Sequence, residues 1–198
     1  SLFAPLFDKK KFVSIDCSTK KILSRGSYNK KFVKNEKIIK IPLTYHFDYK
    51  NIKIKKNFAD LIIIPNLMHH VFDYSKLFKQ CKKILKKNGK LYIFEPTFRE
   101  IHQSPDDYFR FTPFALKLVL KNLGFKNVKY CFTGGPFTAV YYCLDQAIQY
   151  VPKNKRKIFS KKFINKFQDF RNLDKIYKKN LIRKNTIFPT SFSIEATV

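Results

Sequence analysis

Glycine, acidic residues and long apolar runs are all scarce in this 198-residue sequence. No apolar run approaches the roughly 20 residues of a membrane-spanning helix, so we expect no transmembrane segment. The N-terminus lacks the basic start and apolar stretch of a secretory signal, which favours a cytoplasmic protein. The four cysteines form no C-x-x-C pair and have no histidine at metal-ligand spacing. We therefore predict reduced thiols, no disulfide framework and no metal site.

The charge is strongly one-sided, with 14 acidic against 41 basic residues and a net charge of +27. Such a balance suggests a nucleic-acid partner. However, 35 of the basic residues are lysines scattered along the chain and only 6 are arginines, whereas base and phosphate recognition relies on the arginine fork. The excess of Lys, Ile, Asn, Phe and Tyr is typical of an AT-rich coding genome. We expect nonspecific adhesion to polyanions at low salt and no specific nucleic-acid partner.

The hydrophobic pattern predicts one α/β domain spanning residues 1–198. Apolar residues make up 44% of the sequence, which is enough for a core. Short apolar runs predict strands, amphipathic segments at helical spacing alternate with them, and this alternation favours a mostly parallel sheet. Residues 151–185 are predicted as a helical insertion before the last strand. The predicted strands cover residues 12–15, 38–41, 61–64, 90–95, 127–132 and 190–196. Ser75 is the predicted N-cap of one helix, which Asn88-Gly89 is predicted to stop, and Thr112-Pro113 predicts the start of another. Apolar residues at helical spacing predict a further helix over residues 158–170.

Several segments, in order along most of the chain, resemble one family, the class I S-adenosylmethionine-dependent methyltransferases, and within it a bacterial type 11-like subgroup. The resemblance implies a Rossmann-like three-layer sandwich of seven strands, with the last strand antiparallel beside the sixth, and S-adenosylmethionine as cofactor. The sharpest piece is the loop HQSPDDYFRFT, which resembles H-x-x-P-x-D-Y-x-R-Y-T. The segments that carry the resemblance are FADLIII (58–64), LMHHV (67–71), ILKKNGKL (84–91), HQSPDDYFRFT (102–112), LGF (123–125) and FPTSFSI (188–194).

The sequence departs from the family where the cofactor's glycine-rich turn should be. The family's first strand ends in E/D-x-G-x-G, and none of the five glycines here makes that motif. Residues 12–16 match the family's second strand instead. We therefore expect the first strand and its glycine-rich loop to be missing ahead of Ser1, in a chain truncated at its N-terminus. Two smaller departures are Lys40, near a position where the family often has an acid, and Met68, where it often has Glu.

The resemblance assigns four residues to the cofactor. Asp16 ends its strand and could accept hydrogen bonds from the ribose hydroxyls, with Cys17 beside it. The alternative for Asp16 is a helix N-cap or an ordinary loop acid. Asn66 and Leu67 follow the strand at 61–64 and would lie against the cofactor's methionine and adenine ends. Their alternative is an ordinary strand-to-helix turn.

Two histidines are the candidate bases. His70 matches the family's His after the strand, and His102 opens the polar loop, so either could take the acceptor's proton or orient the acceptor. Adjacent residues on a helix point about 100° apart, so His69 and His70 are predicted to be poor joint metal ligands. A structural role is the alternative for each of these histidines.

The same loop supplies the remaining site candidates. Asp107 is a candidate catalytic carboxylate, and Tyr108 and Arg110, with His102, are candidates for binding the acceptor. The alternative is that Asp107 and Arg110 pair with each other and fix the loop.

These observations predict S-adenosylmethionine-dependent methyl transfer to a polar small-molecule or glycan acceptor. One alternative is a catalytically inactive protein of the same fold that acts as a binding or regulatory partner. A basic nucleic-acid-binding module is the less favoured one. The sequence does not predict the oligomeric state.

Overall fold

The computed structural model describes residues 54–102, 104–164, 169–177 and 188–198, together with four two-residue strands among the first 53 residues. The chain divides into two compact units, Ser1–Lys55 and Lys56–Val198. The prediction of one domain with an insertion over residues 151–185 stays a prediction.

The first unit contains two small strand pairs. β1 (Ile15–Asp16) runs parallel to β4 (Tyr45–His46), and β2 (Ile22–Leu23) runs antiparallel to β3 (Ile41–Pro42). The strands predicted at residues 12–15 and 38–41 overlap β1 and β3 by one residue each. Their other residues lie outside the described part of the chain.

The second unit is built on a four-stranded sheet in the order β5-β6-β8-β7. Its strands are β5 (Ala59–Pro65), β6 (Leu85–Pro96), β7 (Lys126–Thr133) and β8 (Ser191–Thr197). β5 and β6 are parallel, and β8 is antiparallel to both β6 and β7. The four strands predicted in this region are confirmed, and so is the antiparallel last strand inserted beside its predecessor.

Helices connect these strands. None of the helices in the described residues has the length and apolar character needed to cross a membrane. The helix predicted around residues 158–170 begins at Arg156 and continues in a π-helical turn, Ser160–Ile164, after which residues 165–168 lie outside the description. The α-helices are α1 (Tyr74–Ile84), α2 (Pro113–Asn122), α3 (Pro136–Ala147), α4 (Arg156–Phe159) and α5 (Phe170–Ile176).

The start of α2 is as the sequence predicts, and the start of α1 is not. Thr112 caps α2 by accepting a hydrogen bond from the Ala115 amide, and Pro113 follows at the first helical position. Ser75 was expected to cap α1, but Asp73 does so, because its carboxylate lies 3.1 Å from the Lys76 amide. A carboxylate three residues before that amide satisfies one of the unpaired donors of the first turn.

The end of α1 also differs from prediction. The Asn88-Gly89 pair was expected to stop the helix, but α1 ends at Ile84, and Leu85 already pairs with Ala59 of β5. Asn88 adopts a φ of +64° within β6. The pair therefore forms an irregularity inside β6, between Leu85 and the regular register that starts at Lys90 opposite Leu61.

The core lies on one face of β6 and β8. Alternate residues of β6 are buried, and they pair across to buried residues of β8. Period-two alternation extends this face to Glu95, which is 1% exposed although it is charged. The buried pairs are Leu91 with Ala196, Ile93 with Ile194 and Glu95 with Phe192. The fold thus delivers a carboxylate into the interior at the carboxyl end of the sheet.

Candidate functional site

Glu95 organises the turn that follows β5. One of its carboxylate oxygens, Oε1, accepts hydrogen bonds from the backbone amides of Leu67 and Met68, each at 2.7 Å. Just before them, Asn66 has a left-handed φ of +51°, and its backbone N–H donates a hydrogen bond to the Phe94 carbonyl at 2.7 Å. Because β5 and β6 are parallel neighbours, this side chain at the end of β6 can hold the turn at the end of β5.

The second oxygen of Glu95 binds His69. His69 Nδ1 lies 2.7 Å from Glu95 Oε2, and the two side chains are 2% and 1% exposed. His69 also fixes the loop of residues 97–111, since its backbone carbonyl accepts a hydrogen bond from the Tyr108 amide at 2.8 Å. His69 therefore connects the turn after β5 to the loop after β6.

Within that loop, Asp107 is the central acceptor. Both of its oxygens bind the Arg110 guanidinium, and Oδ2 also accepts from the His102 amide at 2.9 Å. The hydrogen bonds from Arg110 hold the pKa of Asp107 well below its usual range, so the carboxylate stays ionised. Arg110 makes further hydrogen bonds to three backbone carbonyls, those of Arg99, Glu100 and Phe109.

Three histidines meet where the turn and the loop come together. His102 Nε2 lies 3.2 Å from His70 Nε2 and 3.4 Å from His69 Nε2. The centroids of the His69 and His70 rings are 4.0 Å apart. Burial lowers the pKa of His70, and the neighbouring histidines act in the same direction, partly offset by the carbonyl of Asp106. His70 is therefore neutral at physiological pH.

The expected divergence of His69 and His70 is wrong. Residues 68–70 form a 3₁₀ turn, and each ring is drawn by its own acceptor: His69 by Glu95, and His70 by the carbonyl of Asp106. Both rings consequently face His102, and ring nitrogens of all three lie within 4.8 Å of one another.

Tyr108 lies at the rim of this cluster. Its hydroxyl donates to Asp106 Oδ1 at 2.7 Å, and its side chain remains 43% exposed. The ring of Phe72, 66% exposed, meets it edge-on at 5.4 Å. A polar tip beside exposed aromatic surface is a suitable lining for a ligand that carries hydroxyl groups.

The structure brings most of the predicted site residues together. His70, His102, Asp107 and Arg110 form one connected network, and Tyr108 joins it through Asp106. Asn66 and Leu67 border that network through Glu95. For Asp16 the structure gives only its backbone place at the end of β1, and Cys17 lies outside the described residues.

Sequence reasoning missed Glu95 as a site residue and treated His69 as less informative than His70. A signal for Glu95 was present, since period-two alternation from Leu91 and Ile93 places it on the buried face. A buried charge needs a partner, and His69, in the turn after the neighbouring strand, is the side-chain partner of Glu95.

An apolar cleft of about 540 Å³ lies along α3 and contains none of the site residues named above. The only titratable side chain among its lining residues is the thiol of Cys143, so the cleft offers little chemistry of its own. Its lining is formed by Phe98, Pro136, Ala139, Val140, Cys143, Leu144, Ala147 and Phe188.

Comparison with known proteins gives one family match. Residues 2–93, slightly under half of the chain, match the family model described as a methyltransferase domain. No curated protein matches the chain.

Solved structures of methyltransferases resemble the fold. A methyltransferase of Bacillus halodurans is 13% identical, with a TM-score of 0.52, and the match covers 98% of this chain and 85% of that one. An S-adenosylmethionine-dependent methyltransferase of Archaeoglobus fulgidus is 15% identical over 79% of this chain and 68% of that one, with a TM-score of 0.48. The phosphoethanolamine N-methyltransferase 2 of Haemonchus contortus, solved with phosphomonomethylethanolamine and S-adenosylhomocysteine, is 17% identical over 78% of this chain and 37% of that one, with a TM-score of 0.46. At 13% identity, the likeness to the Bacillus halodurans structure shows the fold alone.

Proposed function

We propose that this chain is a class I S-adenosylmethionine-dependent methyltransferase that methylates a hydroxylated polar small molecule or glycan. The single observation that carries the proposal is the histidine cluster formed by His69, His70 and His102. The cluster follows β5 and β6, at the carboxyl ends of two parallel strands, where open α/β sheets bind their ligands.

The described residues fit the cofactor at one place. Asn66 has an exposed side chain and a left-handed backbone directly after β5, and Leu67 is held beside it by Glu95. We propose that this turn contacts S-adenosylmethionine. The assignment of Asp16 and Cys17 to the cofactor stays a prediction from the sequence. When bound, S-adenosylmethionine supplies a methyl group made electrophilic by its sulfonium.

The histidines are the proposed proton acceptors for the methyl acceptor's hydroxyl. Methylation of a hydroxyl requires the loss of its proton, and a neutral imidazole nitrogen within reach could take that proton. His102 is the proposed base, and His70 orients the acceptor. Asp107 serves as a positioning residue, because its oxygens are engaged by Arg110 and by the His102 amide.

The acceptor side is proposed to include Tyr108 and Arg110. Tyr108 presents an exposed ring and a hydroxyl whose partner Asp106 is also exposed. The hydrogen bonds of Arg110 to backbone carbonyls make it the support of this loop. The comparisons give no support to the alternative of an inactive regulatory protein.

The test has two stages. Calorimetry with S-adenosylmethionine measures cofactor binding by the chain, and radiolabelled methyl transfer is then screened over hydroxylated small molecules and glycans. With an acceptor in hand, we expect His102→Gln to lower kcat by about 100-fold or more, with the dissociation constant of S-adenosylmethionine unchanged. Lys129→Gln, an exposed substitution on β7, is the control.

Two results would count against the proposal. If the chain does not bind S-adenosylmethionine, the proposal that this chain transfers a methyl group is wrong. An unchanged kcat in His102→Gln would show that His102 is not the base, and it would not contradict the proposed family.

A further inference from the structure

We infer that His69, His70 and His102 form a binding site for one divalent transition-metal ion, with Zn²⁺ the best match. The sequence predicted no metal site, and the inference comes from how the three rings are held. It rests on the geometry of the histidines and is independent of the proposed methyl transfer.

Each imidazole is hydrogen-bonded through Nδ1 to an oxygen that accepts. His69 Nδ1 faces the Glu95 carboxylate at 2.7 Å, and His70 Nδ1 faces the carbonyl of Asp106. His102 Nδ1 lies 3.3 Å from the Glu100 carbonyl and 3.3 Å from Asp107 Oδ2. Because carbonyls and ionised carboxylates only accept, the Nδ1 atoms carry the ring hydrogens.

The protonation at Nδ1 determines the state of the other nitrogens. In the neutral form that binds a metal, an imidazole has one N–H, so a ring with its hydrogen on Nδ1 presents the lone pair of Nε2. These lone pairs converge, since His102 Nε2 lies 3.2 Å from His70 Nε2 and 3.4 Å from His69 Nε2. One shared proton can bridge only two of the three nitrogens, whereas one cation can bind all three.

The spacing agrees with metal coordination. Zn–N bonds of about 2.0–2.1 Å in a tetrahedron separate the ligand nitrogens by about 3.3–3.4 Å. The two Nε2 separations fall at that value, and ring nitrogens of all three histidines lie within 4.8 Å of one another. A small ion therefore fits with only minor movement of the rings.

The hydrogen-bond partners of the three histidines are those usually found around metal-bound histidines. Metal-bound histidines usually donate their other N–H to a carboxylate or a carbonyl, which fixes the ring and increases its basicity. Glu95 does this for the buried His69, and both Glu95 oxygens are themselves engaged. Asp107 lies beside His102 and is fixed by Arg110.

The ligand set selects the class of ion. Three imidazole nitrogens favour Zn²⁺, Cu²⁺, Ni²⁺ or Co²⁺ over Mg²⁺ or Ca²⁺, which prefer oxygen. Three protein ligands also leave a fourth position for water or a substrate oxygen. If the proposed function holds, an ion held here would bind the acceptor's hydroxyl oxygen at that fourth position and lower the pKa of the hydroxyl. His70 and His102 would then bind the ion through Nε2 in place of acting as orienter and base, and the hydroxyl proton would pass to solvent.

Metal content is the direct test. The chain is stripped with a chelator, exchanged into chelator-free buffer and titrated with Zn²⁺ alone against a competing fluorescent indicator. We expect one tightly bound equivalent, and Mg²⁺ at the same concentration should not displace it. Replacement with Co²⁺ should give the intense visible bands of a four-coordinate ion with nitrogen ligands.

Variants connect the binding to these residues. His70→Gln and His102→Gln should each abolish stoichiometric binding, and Glu95→Gln should weaken it by about 10–100-fold through His69. His46→Gln, at the only histidine outside the cluster, is the matched control and should still bind one equivalent. Circular dichroism of each metal-free variant separates loss of the site from loss of the fold.

The results that would overturn the site are equally specific. They are the absence of binding by the unaltered chain, binding unchanged in the folded His70→Gln and His102→Gln variants, or binding lost only in His46→Gln. None of these depends on methyl transfer. A chain that binds Zn²⁺ and not S-adenosylmethionine would contradict the proposed function and leave the metal site standing.

Discussion

At the scale of single residues, Asp107 shows how one buried carboxylate fixes the polar loop after β6. Its side chain is 1% exposed and receives hydrogen bonds from Arg110 and from the His102 amide. The sequence left two roles open for it, catalysis or a pair with Arg110. The pair is present, and the carboxylate orients the residue that the proposed chemistry needs.

Replacing this carboxylate should destabilise the protein in a pH-dependent way. Asp107→Asn should lower the free energy of unfolding by about 1–3 kcal/mol at pH 7, because charged hydrogen bonds are lost while Arg110 remains. The folded-state pKa of Asp107 lies below its unfolded value. Its stabilisation is therefore present above the unfolded pKa of about 4 and is lost as the pH falls through the folded pKa.

Urea denaturation from pH 7 to pH 3, with a chelator present, measures this difference. The stability gap between the unaltered chain and Asp107→Asn should narrow below about pH 4. Asp60→Asn is the control, because its ion pair with Lys86 is exposed and should contribute little. A gap that is constant with pH would show that the ionised carboxylate is not the stabilising group.

At the scale of elements, α3 depends on α5 for its N-terminal cap. Gly135 precedes α3 and has no side chain to cap it. Asp174 of α5 accepts hydrogen bonds from the Phe137 amide at 3.1 Å and the Thr138 amide at 2.8 Å, and from the Thr138 hydroxyl. A cap supplied from 36 or 37 residues away ties the two helices together.

Removal of this cap should loosen α3 specifically. Asp174→Ala is expected to cost about 1–2 kcal/mol, as for loss of an N-cap side chain. Hydrogen exchange should show faster exchange of the Phe137 and Thr138 amides, with the amides of β6 unaffected. Asp169→Ala is the control, since Asp169 precedes α5 and makes no side-chain cap. Unchanged exchange at the two amides would contradict the assigned cap.

At the scale of the whole molecule, the net charge of +27 predicts adhesion to polyanions without recognition. Fluorescence anisotropy with two unrelated DNA duplexes should give equal affinities, and both should fall by about 100-fold or more between about 50 and 200 mM salt. Lysines that bind phosphates displace counterions from DNA and do not recognise bases, so the affinities for the two duplexes should be equal. A reproducible preference for one sequence would revive the nucleic-acid alternative.

Local sequence was sufficient for the elements of the Lys56–Val198 unit. Short apolar runs predicted β5 to β8, helical spacing predicted helices between them, and Thr112-Pro113 predicted the start of α2. Two predictions at the ends of α1 were wrong. Asp73 and not Ser75 caps the helix, and Leu85 belongs to β6, where it pairs with Ala59. Both ends were decided by contacts that the local pattern does not contain.

The sequence by itself determined the methyltransferase-like order of elements and the polar loop with His102, Asp107, Tyr108 and Arg110, because periodicity and motif order are local properties of the chain. Only the tertiary structure decided that three histidines converge. Their partners lie 26 to 36 residues away along the chain, and the parallel pairing of β5 with β6 brings them together. Buried acceptors then turn two adjacent rings toward a third, which no helical spacing rule predicts.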